Sequence, residues 1–223
     1  ARRPVYFVSS NPHSLVNLVS GFALRHEDEL VRFLQSPRHA ALLAEWQDIE
    51  SRQVRSSREN FLYYVLKKCL ETPEGQGLKA ARLADEKACG IRRFASHGFD
   101  VTVQLLELRR LRTDWLDPRL QSPQLAALAA SEAMIVNIDY PLGAAAYLIL
   151  SYLATRVGEI RGVYATGKAA TLNGVIGDVM ISNVIHDEHS RNTFLFPNCF
   201  SAADVAPDLA YGTVLDNQKA MTM

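Results

Sequence analysis

Three short segments carry residue types whose spacing could do chemistry. Gly162 to Ala169 reads G-V-Y-A-T-G-K-A, close to the phosphate-cradling pattern G-x-x-x-x-G-K-[ST]. Ala169 stands where a hydroxyl would hold Mg²⁺, and Val163-Tyr164-Ala165 reads as strand where that pattern needs a loop. Ala170 to Gly174 is also too short for the helix that must follow. These departures disfavour a P-loop and leave Lys168 able to meet a phosphate as a point charge. His186-Asp187-Glu188-His189 places two imidazoles three residues apart with acids between them, as some zinc sites do. The segment follows an expected strand, and no further His is placed beside it by the sequence. A polar substrate rim or a surface turn is preferred, so no metal is expected. Asp139-Tyr140-Pro141-Leu142-Gly143 is the third segment, a turn that combines a carboxylate with Gly. No G-x-S-x-G elbow is present, and none of Cys69, Cys89 and Cys199 has the setting of a nucleophile, so acyl transfer is unsupported.

These segments need elements to position them. Met134 to Ile138 is a short apolar β run, Ala144 to Val157 is apolar nearly all round and reads as a buried helix, and Ile160 to Ala165 is a second β run. Strand, helix and strand at this spacing predict a βαβ unit with parallel strands. Val175 to Ile181 reads as a glycine turn feeding a third strand, Val101 to Leu108 as a further strand and Ser122 to Ala133 as an Ala/Leu-rich helix. Ligands of such sheets sit outside the carboxyl ends of the strands. Asp139 to Gly143 and Thr166 to Lys168 fall at those ends. Near the start, Val5 to Val8 is β-prone and runs into Ser9-Ser10-Asn11-Pro12-His13-Ser14, which opens a helix marked by Leu15, Leu18, Val19 and Phe22. Free N–H groups there would favour an anion, against the plainer reading of a capped strand-to-helix junction.

Residues 36–98 read as helical and charged, broken at Thr72 to Gly77, with a shorter helix over Leu78 to Ala95. Arg52, Arg55, Arg58, Lys67 and Lys68 interleave with Glu50, Glu59 and Glu71, which predicts a solvated, salt-bridged face rather than a nucleic-acid surface. Lys plus Arg equals Asp plus Glu at 24 each, so no global field recruits a nucleic acid polymer or an anionic membrane. Three dispersed cysteines disfavour a disulfide scaffold, no apolar run approaches membrane-spanning length, and a cytoplasmic setting is the default. Residues 216–223 lack the features of a domain edge, which suggests a fragment.

The order I-D-Y-P-L-G-A-A-A-Y (138–147), helix, G-V-Y-A-T-G-K-A-A-T-L-N-G-V-I-G-D-V-M-I-S (162–182) and H-D-E-H (186–189) resembles the nucleoside phosphorylase/nucleosidase superfamily, closest in motifs to AMP nucleosidases. The resemblance covers roughly residues 100–223, about half the chain, on short motifs and their order. It implies an α/β fold, a three-layer α/β/α sandwich with a mixed, largely parallel central sheet plus a helical insertion or extension. Residues 1–98 would form an N-terminal βα unit and helical region, and 99–223 the phosphorylase-like region. It also implies cleavage of the N-glycosidic bond of a nucleoside or nucleotide, without a cofactor, with phosphate a possible co-substrate and a homo-oligomer as the working form. Gly143 would fall in a first phosphate turn and Thr166, Gly167 and Lys168 in a second. His186, Asp187 and His189 would lie at the base or phosphate rim, with Asp216 and Asn217 near the base. The ribose-binding M-E-x-E-like segment and the acid for purine N7 would lie beyond Met223. Asp139-Tyr140-Pro141 departs from the small Gly-rich turn of that superfamily, and a carboxylate beside a phosphate opposes it. A non-catalytic nucleotide or sugar-phosphate binding module on the same fold is the alternative.

Overall fold

The structure, a computed structural model, describes residues 3–53, 57–95, 101–141, 143–168 and 170–222. Arg55, Leu142, Ala169, Met223 and the end of the helical stretch at 96–98 lie outside the described residues. The chain divides into two compact units, Ala1–Leu43 with Phe61–Gly167, and Ala44–Asn60 with Lys168–Met223. The first unit spans the 98/99 boundary, because strands on either side of it pair within one sheet.

That sheet holds β2 (Ile91–Ala95), β3 (Thr102–Glu107), β4 (Met134–Asp139), β1 (Pro4–Ser10) and β5 (Glu159–Ala165), in that order. β1 is parallel to both β4 and β5, whereas β2–β3 and β3–β4 are antiparallel. The fold is therefore mixed α/β as expected, with half of its strand pairings parallel. Alternation sorts the side chains onto two faces. Val5, Phe7, Val136 and Ile138 pack with Val103 and Leu105 against Ile149, Leu150 and Leu153 of α7 (Gly143–Arg156). Ile91, Leu106 and Ile135 face the other way, onto Val16 and Val19 of α1 (Ser14–Ser20) and Leu116. Helices on both faces make three layers.

The first unit also holds α2 (Phe22–Arg25), α3 (Glu27–Leu34), α6 (Gln76–Ala88) and, from Phe61 on, α5 (Ser57–Leu70), while α4 (Ala40–Arg52) falls mostly in the second unit. Phe22, Leu30, Leu34, Leu62 and Leu66 are fully buried. Gly21 turns the chain from α1 into α2 at a φ of 52°, and a Cβ there would lie 1.9 Å from the Trp115 carbonyl oxygen. Gly21→Ala is expected to destabilise by more than about 2 kcal/mol, from backbone strain and a clash that no side chain can relieve. A thermal melt superimposable on that of the parent chain would contradict this.

Four expectations change. The helix read over Leu78 to Ala95 stops at Ala88, and Ile91–Ala95 is a strand, because Gly90 at a φ of 76° ends the helix. Ser122 to Ala133 is a 3₁₀ segment over Pro123–Ala130, capped by the Ser122 side chain accepting from the Gln124 amide. The α7 helix is covered on one face only, since Tyr147, Leu148 and Tyr152 are 71%, 63% and 64% exposed. The third strand does not join the central sheet. It is β6 (Val179–Asp187), in a separate three-stranded sheet of the second unit with β7 (Asn192–Leu195) antiparallel and β8 (Val214–Thr222) parallel to it. Among the described residues no helix is long and apolar enough to cross a membrane.

Candidate functional site

The carboxyl ends of three adjacent parallel strands, β4, β1 and β5, lie side by side in the first unit. Beyond β1 the chain turns through Asn11 to Ser14. The Asn11 Oδ1 accepts from the amides of His13 (2.9 Å) and Ser14 (2.7 Å), and its Nδ2 donates to the Ser14 Oγ at 2.7 Å. Both amides at the start of α1 are thus satisfied from within the turn, and α1 has only seven residues. Two of the junction's amides are taken in this way, as the capped-junction reading requires, and a helix this short makes no anion site by itself.

Below the turn is a buried polar chain. Ser10 Oγ donates to Asn137 Oδ1 at 2.8 Å, Asn137 Nδ2 to Gln104 Oε1 at 2.9 Å, and Gln104 Nε2 to the Pro12 carbonyl at 2.7 Å. These residues come from β1, β4 and β3, and Asn137 and Gln104 are 1% and 0% exposed. Polar groups this deep are tolerated because each has a partner, and together they fix the turn that carries His13. On the β5 side, the Thr166 amide (2.9 Å) and Oγ1 (3.1 Å) both donate to the Ser9 carbonyl, which locks the exit of β5 onto that of β1.

His13 is half-buried, and its pKa lies below the ordinary imidazole value. Burial is the largest cause, and the charges of Arg82, Lys67 and Arg93 add to it, opposed by Asp139. Neutral imidazole is therefore the form at physiological pH. Arg82 and Glu86 come from α6 and Arg93 from β2. Arg82 Nε donates to Glu86 Oε1 at 2.9 Å, Arg93 Nε to Glu86 Oε2 at 2.6 Å, and Arg93 Nη2 to Glu86 Oε1 at 2.7 Å. Arg82 Nη2 reaches Asn17 Oδ1 on α1 at 3.2 Å. The site thus holds one neutral imidazole, three cations and two carboxylates. Such a set can bind an anion and move a proton through His13 Nδ1 or Nε2.

The nine residues singled out from sequence fall into two groups. In the first unit, Gly143 opens α7 just after β4, and Thr166 and Gly167 follow β5, so all three sit at the carboxyl ends described above. The other six lie in the second unit. Lys168 is exposed. His186 and Asp187 close strand β6 instead of forming a turn after it. The His186 Nδ1 lies 3.0 Å from the Thr193 Oγ1 on β7, and the Asp187 carboxylate accepts from the Ser190 amide at 3.1 Å, with exposed His189 in the turn between. On β8, Asp216 accepts from the amides of Ala202 (3.1 Å) and Asn217 (3.0 Å). Asn217, at a φ of 54°, accepts from Asn183 at 2.9 Å. The register sets Gln218 against Ser182 and Met221 against His186, so Asn217 and His186 are about 13 Å apart along the sheet. They do not share one cluster. Among the described residues no three His, Cys, Asp or Glu side chains gather in a metal-binding group. Sequence reading named His13 only as part of the Ser9 to Ser14 turn and did not single out Arg82, Glu86 or Arg93. The Arg82/Glu86 spacing of four was a visible signal of an ion pair, but nothing in it marked the pair as buried.

The first unit is thus a three-layer α/β domain with a polar, charged site at the ends of its parallel strands. Residues 1–223 match a family described as "Family of unknown function (DUF6909)", and the chain belongs to that family. No curated protein and no solved structure matches the chain.

Proposed function

We propose that the protein binds a small nucleotide or sugar phosphate at the carboxyl ends of β4, β1 and β5 and cleaves its N-glycosidic bond, as the superfamily resemblance implies. The observation that supports this most is the convergence of Asp139, the His13 turn and Thr166 on adjacent parallel strands, above a buried polar chain that holds them rigid. Glycosidic cleavage passes through an oxocarbenium-like sugar, which negative charge stabilises and which needs a proton on the departing base. In this reading Asp139 supplies the charge. Water adds to the anomeric carbon as the bond to the base breaks, and neutral His13 takes a proton from that water on one nitrogen while giving one to the departing base from the other. The carboxylate that is out of place beside a phosphate is well placed beside a cationic sugar.

The test is chromatographic release of free base from AMP, adenosine, inosine and uridine, with and without phosphate. Base from AMP is the expected result, and Asp139→Asn should lower kcat about a hundredfold while ligand still binds. Release only with phosphate would make the reaction phosphorolysis. Binding of AMP or ribose 5-phosphate without any release would favour the second reading, a sensor on the same site, which the irregular Asp139-Tyr140 turn supports through its φ of 37° at Tyr140. Neither binding nor release would overturn both.

A further inference from the structure

We infer that the anionic group of the ligand is held by Arg82, Arg93 and Lys67 beside His13, between α5, α6 and β2, a phosphate subsite distinct from the Thr166–Lys168 turn. The inference rests on the proposed function for the identity of the ligand, though the charge arrangement stands by itself. Arg82 and Arg93 share the single carboxylate of Glu86, and both of its oxygens are taken by them. The Arg82 and Glu86 side chains are 8% and 3% exposed and that of Arg93 is 27% exposed, so the cluster carries one positive charge in surplus with Arg93 at its solvent-facing edge. A guanidinium held partly out of water beside a carboxylate it must share attracts an anion that supplies the missing charge.

The remaining donors are available. After Nε and Nη2 are used, each guanidinium retains N–H groups with no acceptor among the described residues. Arg93, with 27% of its side chain exposed, keeps its spare donors accessible to solvent. Lys67 is exposed and acts on the same imidazole as the two arginines. Asp139 acts on it with the opposite sign. Counting Lys67, Arg82 and Arg93 against Glu86 and Asp139, with His13 neutral, the site keeps one positive charge. Guanidinium groups present paired N–H donors that match phosphate oxygens, and a lysine adds an adaptable point charge. A phosphomonoester fits this set. Asp139, on the strand-end side of His13, is then left free for the sugar.

The experiment is titration calorimetry of the full chain with inorganic phosphate, ribose 5-phosphate and adenosine, at low and high salt. The variants are Lys67→Glu, Arg93→Gln and Lys168→Met. Lys67 is an exposed side chain, so its variant should fold as the parent does, which a circular dichroism melt checks. Both phosphate-bearing probes are expected to bind, more weakly at high salt, and Lys67→Glu and Arg93→Gln should each weaken them by roughly tenfold or more with adenosine affinity unchanged. Phosphate binding that survives both changes, or that is lost in Lys168→Met alone, would overturn the assignment. The two readings separate cleanly. Base release from AMP with an unaltered KM in Lys67→Glu and Arg93→Gln removes this subsite and leaves the reaction standing. Ribose 5-phosphate binding that depends on Lys67, with no base released from any nucleotide, keeps the subsite and removes the reaction.

Discussion

Glu86→Gln is expected to lower the stability of the first unit by about 3 kcal/mol, a figure typical of breaking a buried ion pair from one side. The carboxylate takes three guanidinium N–H bonds, from 2.6 to 2.9 Å, with its side chain 3% exposed. An amide keeps the shape, removes the charge and turns an NH₂ donor towards donors. Arg82 and Arg93 are then two like charges with nothing between them, and Arg82 is too deep to reach water. A melt should show a fall of about 6–12 °C. Removing the charge of Asp114, whose pair with Arg112 is open to solvent at 61% and 54%, should leave the melt unchanged. Equal effects at the two positions would mean that burial of the Glu86 cluster has been misjudged.

Asp117→Asn should be nearly as costly, about 3 kcal/mol at neutral pH, and the cost should depend on pH. The Asp117 carboxylate is fully buried and receives Tyr63 Oη, Arg119 Nε at 2.8 Å and Arg119 Nη2 at 2.7 Å, plus the Arg119 amide at 2.9 Å. Its own amide donates to the Leu18 carbonyl at 2.8 Å, so the cluster ties the segment before Arg119 to α1 and α5. Burial alone would raise the carboxyl pKa, but the bonds from Arg119 and Tyr63 outweigh it and hold the group below the ordinary carboxylate range. The Tyr63 phenol moves the other way, raised first by burial and then by Asp117. A carboxyl whose folded pKa lies below its unfolded one contributes its full stability above about pH 4 and loses it as the pH falls further. The gap between Asp117→Asn and the parent chain should therefore be wide at pH 7 and narrow at pH 3. A gap that stays constant would show that the ionised form is not what the cluster needs.

Much of the central sheet is legible from side-chain pattern. Val5-Tyr6-Phe7-Val8, Met134 to Ile138 and Ile160 to Ala165 are short and β-prone, and each is a strand; β4 and β5 run parallel as the βαβ reading requires, with β1 between them. β2 escapes because Ile91-Arg92-Arg93-Phe94-Ala95 continues the charged rhythm of α6, and only Gly90 marks the break. β6 escapes in a different sense: its residues read correctly as strand, but the sheet a strand joins depends on long-range pairing that local pattern does not carry. The site divides along the same line. The places of Thr166 and Gly143 at strand ends were legible because turns after parallel strands announce themselves. Lys67 was read as part of a solvated face, and Arg82 and Arg93 were not singled out, since charge alternation looks the same whether the helix meets water or a neighbouring strand.

The position of β1 has a further consequence for how the chain is made. This strand leaves the ribosome before every other element described here, yet its partners β4 and β5 begin about 130 and 155 residues later. At ordinary synthesis rates that interval lasts about 7–30 s. During it the apolar side chains of Val5 and Phe7 have no sheet to enter, while β2, β3 and β4 pair with their sequence neighbours as they emerge. The antiparallel half of the sheet is thus a platform built first, onto which the oldest strand docks late, bringing the His13 turn with it. The site is completed only when β5 closes the other side of β1, so residues translated well ahead of their sheet partners are among the last to find shelter.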